Sequence, residues 1–106
     1  MVLASFPYTD LSARKPRPAL VLADQRADDV VLAFVTSGAA GHDARAECVF
    51  DPSDPEFTPT GLKMRSVVTL TRIATLHQSL VLRRLGRIGP QSQVAVDAAL
   101  RYVFKL

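Results

Sequence analysis

"RPALVLADQRADDVVLAFVTS", Arg17–Ser37, decides the fold. It holds two apolar runs, Ala19–Ala23 and Val30–Val35, separated by the polar stretch Asp24–Asp29. Unbroken runs of this length suit strands buried on both faces, and the short polar connection makes them an antiparallel pair. Pro18 gives up a ladder donor, which the first residue of a strand tolerates. Arg17 lies between Pro16 and Pro18. A residue before proline is driven out of the helical region, and Pro16 constrains Lys15 in the same way. The guanidinium therefore projects from a stiff approach to a buried strand, clustered with Arg14 and Lys15. Two readings fit it. A preorganised planar fork suits a phosphate; the same side chain also serves as an edge cap paired with a carboxylate such as Asp10.

The flanks extend the β pattern. Val2–Phe6 reads as a short strand stopped by Pro7, followed by a polar connection over Tyr8–Pro16. "TSGAAGHD", Thr36–Asp43, reads as a flexible loop. Ala44–Phe50 is expected to be a strand, with Ala44, Ala46, Cys48 and Phe50 alternating against Arg45, Glu47 and Val49. "DPSDPEFTPTG", Asp51–Gly61, carries three of the seven prolines and is expected to be irregular. Met64–Ile73, rich in β-branched residues, is expected to be a strand. Leu76–Val81 fits a helical turn or a loop, and Leu82–Ile88 another short strand. Gly89-Pro90 announces a helix, because proline at the first helical position loses no hydrogen bond. Val96, Ala99, Leu100, Val103 and Phe104 then form one stripe facing the sheet. Five or six short strands and one helix fit a mainly β, α+β domain: a small, strongly curved sheet or partly open barrel.

Bulk properties set the class. The chain has 106 residues, 48% of them apolar and 22% charged, enough for one domain with a real core. The formal charge of +3 is mild support for a polyanionic partner. No apolar run is long enough to cross a bilayer, and no secretory signal is visible, so a cytoplasmic protein without membrane contact is expected. The single cysteine, Cys48, has no internal disulfide partner and reads as a buried, inert thiol. His42 and His77 are isolated, so neither a metal nor another cofactor is expected. Asp51, Asp54 and Glu56 read as carboxylates of a solvated loop. Arg83, Arg84 and Arg87 read either as a phosphate-tracking surface or as a solvated face. Thr36 and Ser37, at the exit of an apolar strand, offer hydroxyls to a phosphate or to local turn groups.

"FPYTDLSARKPRPALVLA" followed by "DDVVLAFVTS" resembles the N-terminal half of the MazF/PemK-like toxins of bacterial toxin–antitoxin pairs. "TGLKMRSVVTLTRIATL" is similar to that family's next block, and "GRIG" with the closing helix sits where the family has its last strand and helix. The resemblance implies a small SH3-like barrel of five to seven strands with a C-terminal helix, forming a homodimer. It implies metal-independent cleavage of single-stranded RNA, with 2′-hydroxyl attack leaving a 2′,3′-cyclic phosphate, and neutralisation by an acidic antitoxin protein. Arg17 matches the family's catalytic arginine and Thr36 its catalytic threonine or serine. Lys15 and Ser37 become candidate substrate contacts, and Phe6 or Tyr8 candidate stacking platforms for unpaired bases. Where several family members carry an arginine and an acid, this chain has Thr69 and Thr71, candidate substrate contacts that donate hydrogen bonds but no charge. Arg72, in a regular strand, points to the opposite face from them. The alternative is a catalytically weak or inactive relative that binds protein or RNA.

Overall fold

The structure is a computed structural model that describes residues 1–6, 16–24, 28–37, 41 and 43–106. Tyr8, Asp10, Lys15 and His42 lie outside the described residues. Six strands, β1 (Val2–Ala4), β2 (Arg17–Ala23), β3 (Asp29–Ser37), β4 (Glu47–Phe50), β5 (Ser66–His77) and β6 (Val81–Arg84), precede helix α1 (Pro90–Phe104). They form one antiparallel sheet in the order β4-β5-β3-β2-β1-β6. The sheet does not close: β4 and β6 remain its edges.

The two runs of the decisive stretch are the central strands β2 and β3, and both faces of them are buried. Leu20, Ala33 and Val35 join a core that includes Val68, Leu70, Val96 and Ala99; Ala19, Val30 and Leu32 join a second core with Val2, Ala4, Phe6 and Leu76. Neighbours along each strand therefore feed different cores, which is why no polar alternation interrupts the apolar runs. Leu32, Leu70, Val67, Val68 and Val96 are each less than 2% exposed; burial of such a side chain contributes about 1.5–3 kcal/mol. The first β2–β3 pair is Ala19↔Phe34, so Pro18 stands outside that ladder and its missing N–H costs no bond there.

β3 and β5 are paired along most of their length, with one break. Ala33 faces Ile73, yet the next β3 residue, Phe34, faces Thr69. Leu70, Thr71 and Arg72 thus have no opposite number on β3. Such an insertion changes which face the following side chains occupy. Val68, Leu70 and Ile73 reach the core under the helix, and Ala74 and Leu76 reach the other one.

Several boundaries differ from those expected. The first strand ends at Ala4, and β5 runs on to His77 before a 3-10 turn at Gln78–Leu80. Ala44–Ala46 is a 3-10 turn capped by Asp43 Oδ1, which accepts from the Arg45 N–H at 3.1 Å, so β4 begins only at Glu47. The expected alternation survives in burial: Ala46, Cys48 and Phe50 are inside and Val49 is exposed. The last strand stops at Arg84. Phe104 drops out of the helical stripe at 57% exposed, while Val96, Ala99, Leu100 and Val103 pack on the sheet.

The proline-rich segment is a structured strap rather than a solvated loop. Thr58–Thr60 forms a 3-10 turn, and the fully buried Thr60 hydroxyl donates to the Phe57 carbonyl and accepts from the Leu62 N–H. Gly61 closes the turn at φ 77°, a left-handed conformation that glycine adopts without steric cost. A Cβ there would also strike the Leu85 carbonyl. Asp51 accepts from the Ser53 N–H and hydroxyl, and Asp54 accepts from the Glu56 N–H, both as Asx-type turns. Glu56 reaches the helix: its two carboxylate oxygens accept from the N–H groups of Gln91 and Ser92 at 3.1 and 3.0 Å. Gly89, the N-cap residue, has no side chain to offer, and a Cβ on it would collide with the Glu56 carboxylate. An acidic group 35 residues away in sequence thus satisfies donors that a helix leaves open at its start.

The Ser92 and Gln91 N–H groups hold the Glu56 carboxyl below its ordinary value. A depressed carboxylate stabilises the fold fully above its unfolded-state pKa, about 4.3, and the contribution is lost as pH falls through the folded value. Thermal unfolding of Glu56→Gln is therefore expected to show a lower Tm than wild type at pH 7, with the gap narrowing below pH about 4 as the wild-type carboxyl protonates. Cys48 is 6% exposed, and burial, then the Asp54 charge, pushes its thiol up from the ordinary value. Ellman's reagent is expected to react with the folded protein far more slowly than with protein unfolded in guanidinium; equal rates would contradict an inert thiol.

Candidate functional site

A cleft of about 660 Å³ opens at the end of the sheet where β2 begins and β3 finishes. Arg17 and Thr36 each lie two residues beyond the first β2–β3 pair, in the same direction along the sheet, and both line this cleft. Alternation gives them the same side of the sheet as Phe34. Ser37 and Ser66, which pair across β3 and β5, add hydroxyls to the wall. The Ser66 hydroxyl donates to the Met64 carbonyl at 2.8 Å. Gly61, which ends the strap, and Leu62, Lys63 and Met64, which follow it, form another wall, so the glycine turn described above shapes one side of the site. Arg83 on β6 closes another side.

The electrostatics are one-signed. Arg17, Lys63, Arg72 and Arg83 line the cleft, and no carboxylate does so among the described residues. Closely placed cations repel one another and favour an anionic occupant. Of the three basic residues flagged near the last strand, Arg83 reaches the cleft; Arg84 and Arg87 do not line it.

Phe6 also lines the cleft, but as part of its wall. It is 5% exposed, and its ring lies 4.5 Å from that of Phe34, centroid to centroid, tilted by 50°. A buried ring has no free face for a nucleobase, so the stacking role expected of Phe6 does not fit its surroundings. Phe34, half-buried at the cleft, is the aromatic that sequence reading passed over. Its signal was weak, because it sits inside an unbroken apolar run.

Thr69 and Thr71 are not brought into the cleft. Thr69 is half-buried, paired with Phe34 on one side and Glu47 on the other. Thr71 lines a separate hollow of about 520 Å³ with Asp43, Ala46 and the helix residues Arg101, Tyr102 and Val103. There the Tyr102 hydroxyl donates to Asp43 Oδ2 at 2.7 Å, which raises its pKa, and the Arg45 guanidinium covers its ring at 4.1 Å. Arg72 takes the position in the cleft instead. β5 is not a regular strand there: the break between Ala33 and Phe34 in the β3 pairing inverts the facing of the residues after it. The guanidinium carbon of Arg72 stands 5.1 Å above the Phe34 ring. His77, at the other end of β5, accepts from the Ser79 N–H through Nδ1 and does not line the cleft.

Comparison with known proteins gives a consistent placement. A family model described as PemK-like, MazF-like toxin of type II toxin-antitoxin system matches residues 1–104. Comparison with curated proteins gives no match. Among solved structures the chain is similar to the Mycobacterium tuberculosis toxin MazF-mt6, with TM-score 0.77 and 22% identity over 99% of this chain and 95% of that one. It is also similar to an endoribonuclease in complex with its cognate antitoxin from a mycobacterial species, with TM-score 0.72 and 20% identity over 99% and 90% of the two chains. At these identities the structures establish the fold, and the family match over nearly the whole length establishes descent. The chain belongs to the PemK-like, MazF-like toxin family of type II toxin–antitoxin systems.

Proposed function

We propose that this chain is a metal-independent endoribonuclease toxin acting on single-stranded RNA in the cytoplasm, as a homodimer, until an acidic antitoxin segment covers its cleft. The observation that carries the reading is the convergence of Arg17 and Thr36 on one cationic cleft with no carboxylate among its described lining residues. Family membership and the printed names of structural neighbours, an endoribonuclease with its antitoxin among them, point the same way.

In this reading the 2′-hydroxyl of one nucleotide attacks the adjacent phosphorus. The new bond is 2′-O to phosphorus; the bond from phosphorus to the 5′-oxygen breaks. The products are a 2′,3′-cyclic phosphate and a 5′-hydroxyl. Negative charge grows on the non-bridging oxygens, where a fixed guanidinium acts most strongly. Arg17 supplies that charge through paired N–H groups and hydrogen-bonds the departing 5′-oxygen. The 2′-hydroxyl releases its proton to water and the 5′-oxygen takes one from water, so no net proton is consumed. Its backbone, held between two prolines and then in the β1 and β2 ladder at Ala4↔Arg17, keeps the fork in place before substrate arrives. Thr36 holds the phosphate or the attacking hydroxyl. A proteinaceous polyanion of matching charge, such as an acidic antitoxin segment, competes for the same cations.

Expression of wild type, Arg17→Ala, Thr36→Ala and Thr71→Val, with mapping of cellular RNA ends, tests this reading. Wild type is expected to arrest growth and leave cyclic-phosphate ends. Arg17→Ala should lose about 100- to 1,000-fold in cleavage rate, the usual effect of removing one transition-state donor. Thr36→Ala should be impaired and Thr71→Val should cleave like wild type, since Thr71 lines a different hollow. Absence of Arg17-dependent cleavage would overturn the proposal.

A further inference from the structure

Of the cleft's four cations the family resemblance gives a role only to Arg17. Of the other three, Lys63, Arg72 and Arg83, Arg72 owes its place to the break in β5 pairing. In a regular strand continuing from Val68 and Leu70, Arg72 would face the core under the helix. The three residues of β5 without partners on β3 turn it to the side of Phe34, Arg17 and Thr36. A strand irregularity that moves a long cation from a core-facing position into a cleft is a device for aiming a side chain.

The geometry points to Arg72 as a second phosphate-binding residue, one that holds the backbone of single-stranded RNA beside the nucleotide engaged by Arg17. This rests on the endoribonuclease reading above for the identity of the polyanion. Four observations support it. First, Arg72 is held in place: its guanidinium lies over Phe34, and Phe34 is itself braced by Phe6. A guanidinium stacked on a ring keeps its in-plane N–H fork for an oxyanion. Second, no described carboxylate pairs with it; the ion pair found among the described residues joins Arg65 to Asp51. Third, Arg72, Arg17 and Arg83 stand on β5, β2 and β6, so the row of cations crosses the strands. β3 lies between the strands of Arg17 and Arg72, and Arg72 stands at the Ala33/Phe34 break while Arg17 is level with Thr36. The two are therefore rooted about 12 Å apart, within the joint reach of two long side chains directed at one strand of RNA. Fourth, the hydroxyls of Thr36 and Ser37, on the β3 strand that separates β2 from β5, line the same cleft.

A purely structural Arg72, present only to cover Phe34, makes a different prediction from a phosphate ligand. The test uses Arg72→Ala and Arg72→Lys, each checked for wild-type thermal unfolding, against two probes. One is an RNA oligomer containing the cleavage site mapped for the wild type. The other is a mixed-sequence 2′-O-methyl RNA of about 12 nucleotides, within the usual single-strand footprint, whose blocked 2′-oxygens prevent cleavage. Arg72→Ala is expected to raise KM about tenfold, the effect of one charge-assisted hydrogen bond, and to leave kcat within about twofold. It should also reduce the slope of log affinity against log salt by about 0.7 on the 2′-O-methyl oligomer, the share of one phosphate contact on a single strand. Arg72→Lys should retain the slope. A folded Arg72→Ala variant with unchanged KM and salt slope overturns the inference while Arg17-dependent cleavage leaves the endoribonuclease reading intact. Wild-type binding whose salt slope falls in Arg72→Ala, without any cleavage, supports Arg72 and overturns the endoribonuclease reading instead.

Discussion

The break in pairing between β3 and β5 is the constraint on which the site depends. Both strands are buried, so neither can slip by one residue without sending a row of apolar side chains to the wrong core. Leaving Leu70, Thr71 and Arg72 without β3 partners resolves this locally. Leu70 stays fully buried, Ile73 still packs under the helix, and Ala74 and Leu76 serve the opposite core. The same adjustment sends Thr71 toward the helix and Arg72 toward Arg17. Core packing and the composition of the cleft are thus set by one irregularity.

The strap from Asp51 to Gly61 is the second organising element, and it links the cleft to the helix. At one end Gly61 and its neighbours wall the site; in the middle Glu56 holds the start of α1. Close approach makes this possible. Gly61, Gly86 and Gly89 each stand where a Cβ would strike backbone or the Glu56 carboxylate. The Arg87 N–H donates to the Pro59 carbonyl at 2.9 Å, tying the strap to the chain after β6. A segment rich in proline and carboxylates is therefore a rigid spacer whose polar groups are nearly all in use.

Much of the fold was legible because it rests on local rules. Continuous apolar runs marked β2 and β3, the Gly89-Pro90 pair marked the helix start, and proline on both sides marked Arg17. Thr36 and Arg17 were drawn together by family resemblance, and the register of β2 and β3 supplies the geometric reason. What stayed hidden were long-range effects. Nothing local in "TLTRIATL" says that three residues lose their partners on the neighbouring strand, so Thr69 and Thr71 looked better placed than Arg72. Glu56 looked solvated because the helix it caps begins more than thirty residues later. Phe6 looked available because its exposed aspect depends on Phe34, a contact between distant strands.

The cleft also has a temporal side. Its walls come from β1, β2, β3, the strap, β5 and the stretch ending at Leu85, so most of the chain contributes. Met1 is bound to the far end of that set: its carbonyl accepts from the N–H groups of Leu85 and Gly86, and its amine donates to the Gly86 carbonyl. Contacts of such sequence separation form late and together, since the loop must close before they stabilise anything. A chain still leaving the ribosome has no cleft until residue 85 has emerged. For a member of a toxin family, this postpones assembly of the cleft until nearly the whole domain has been synthesised.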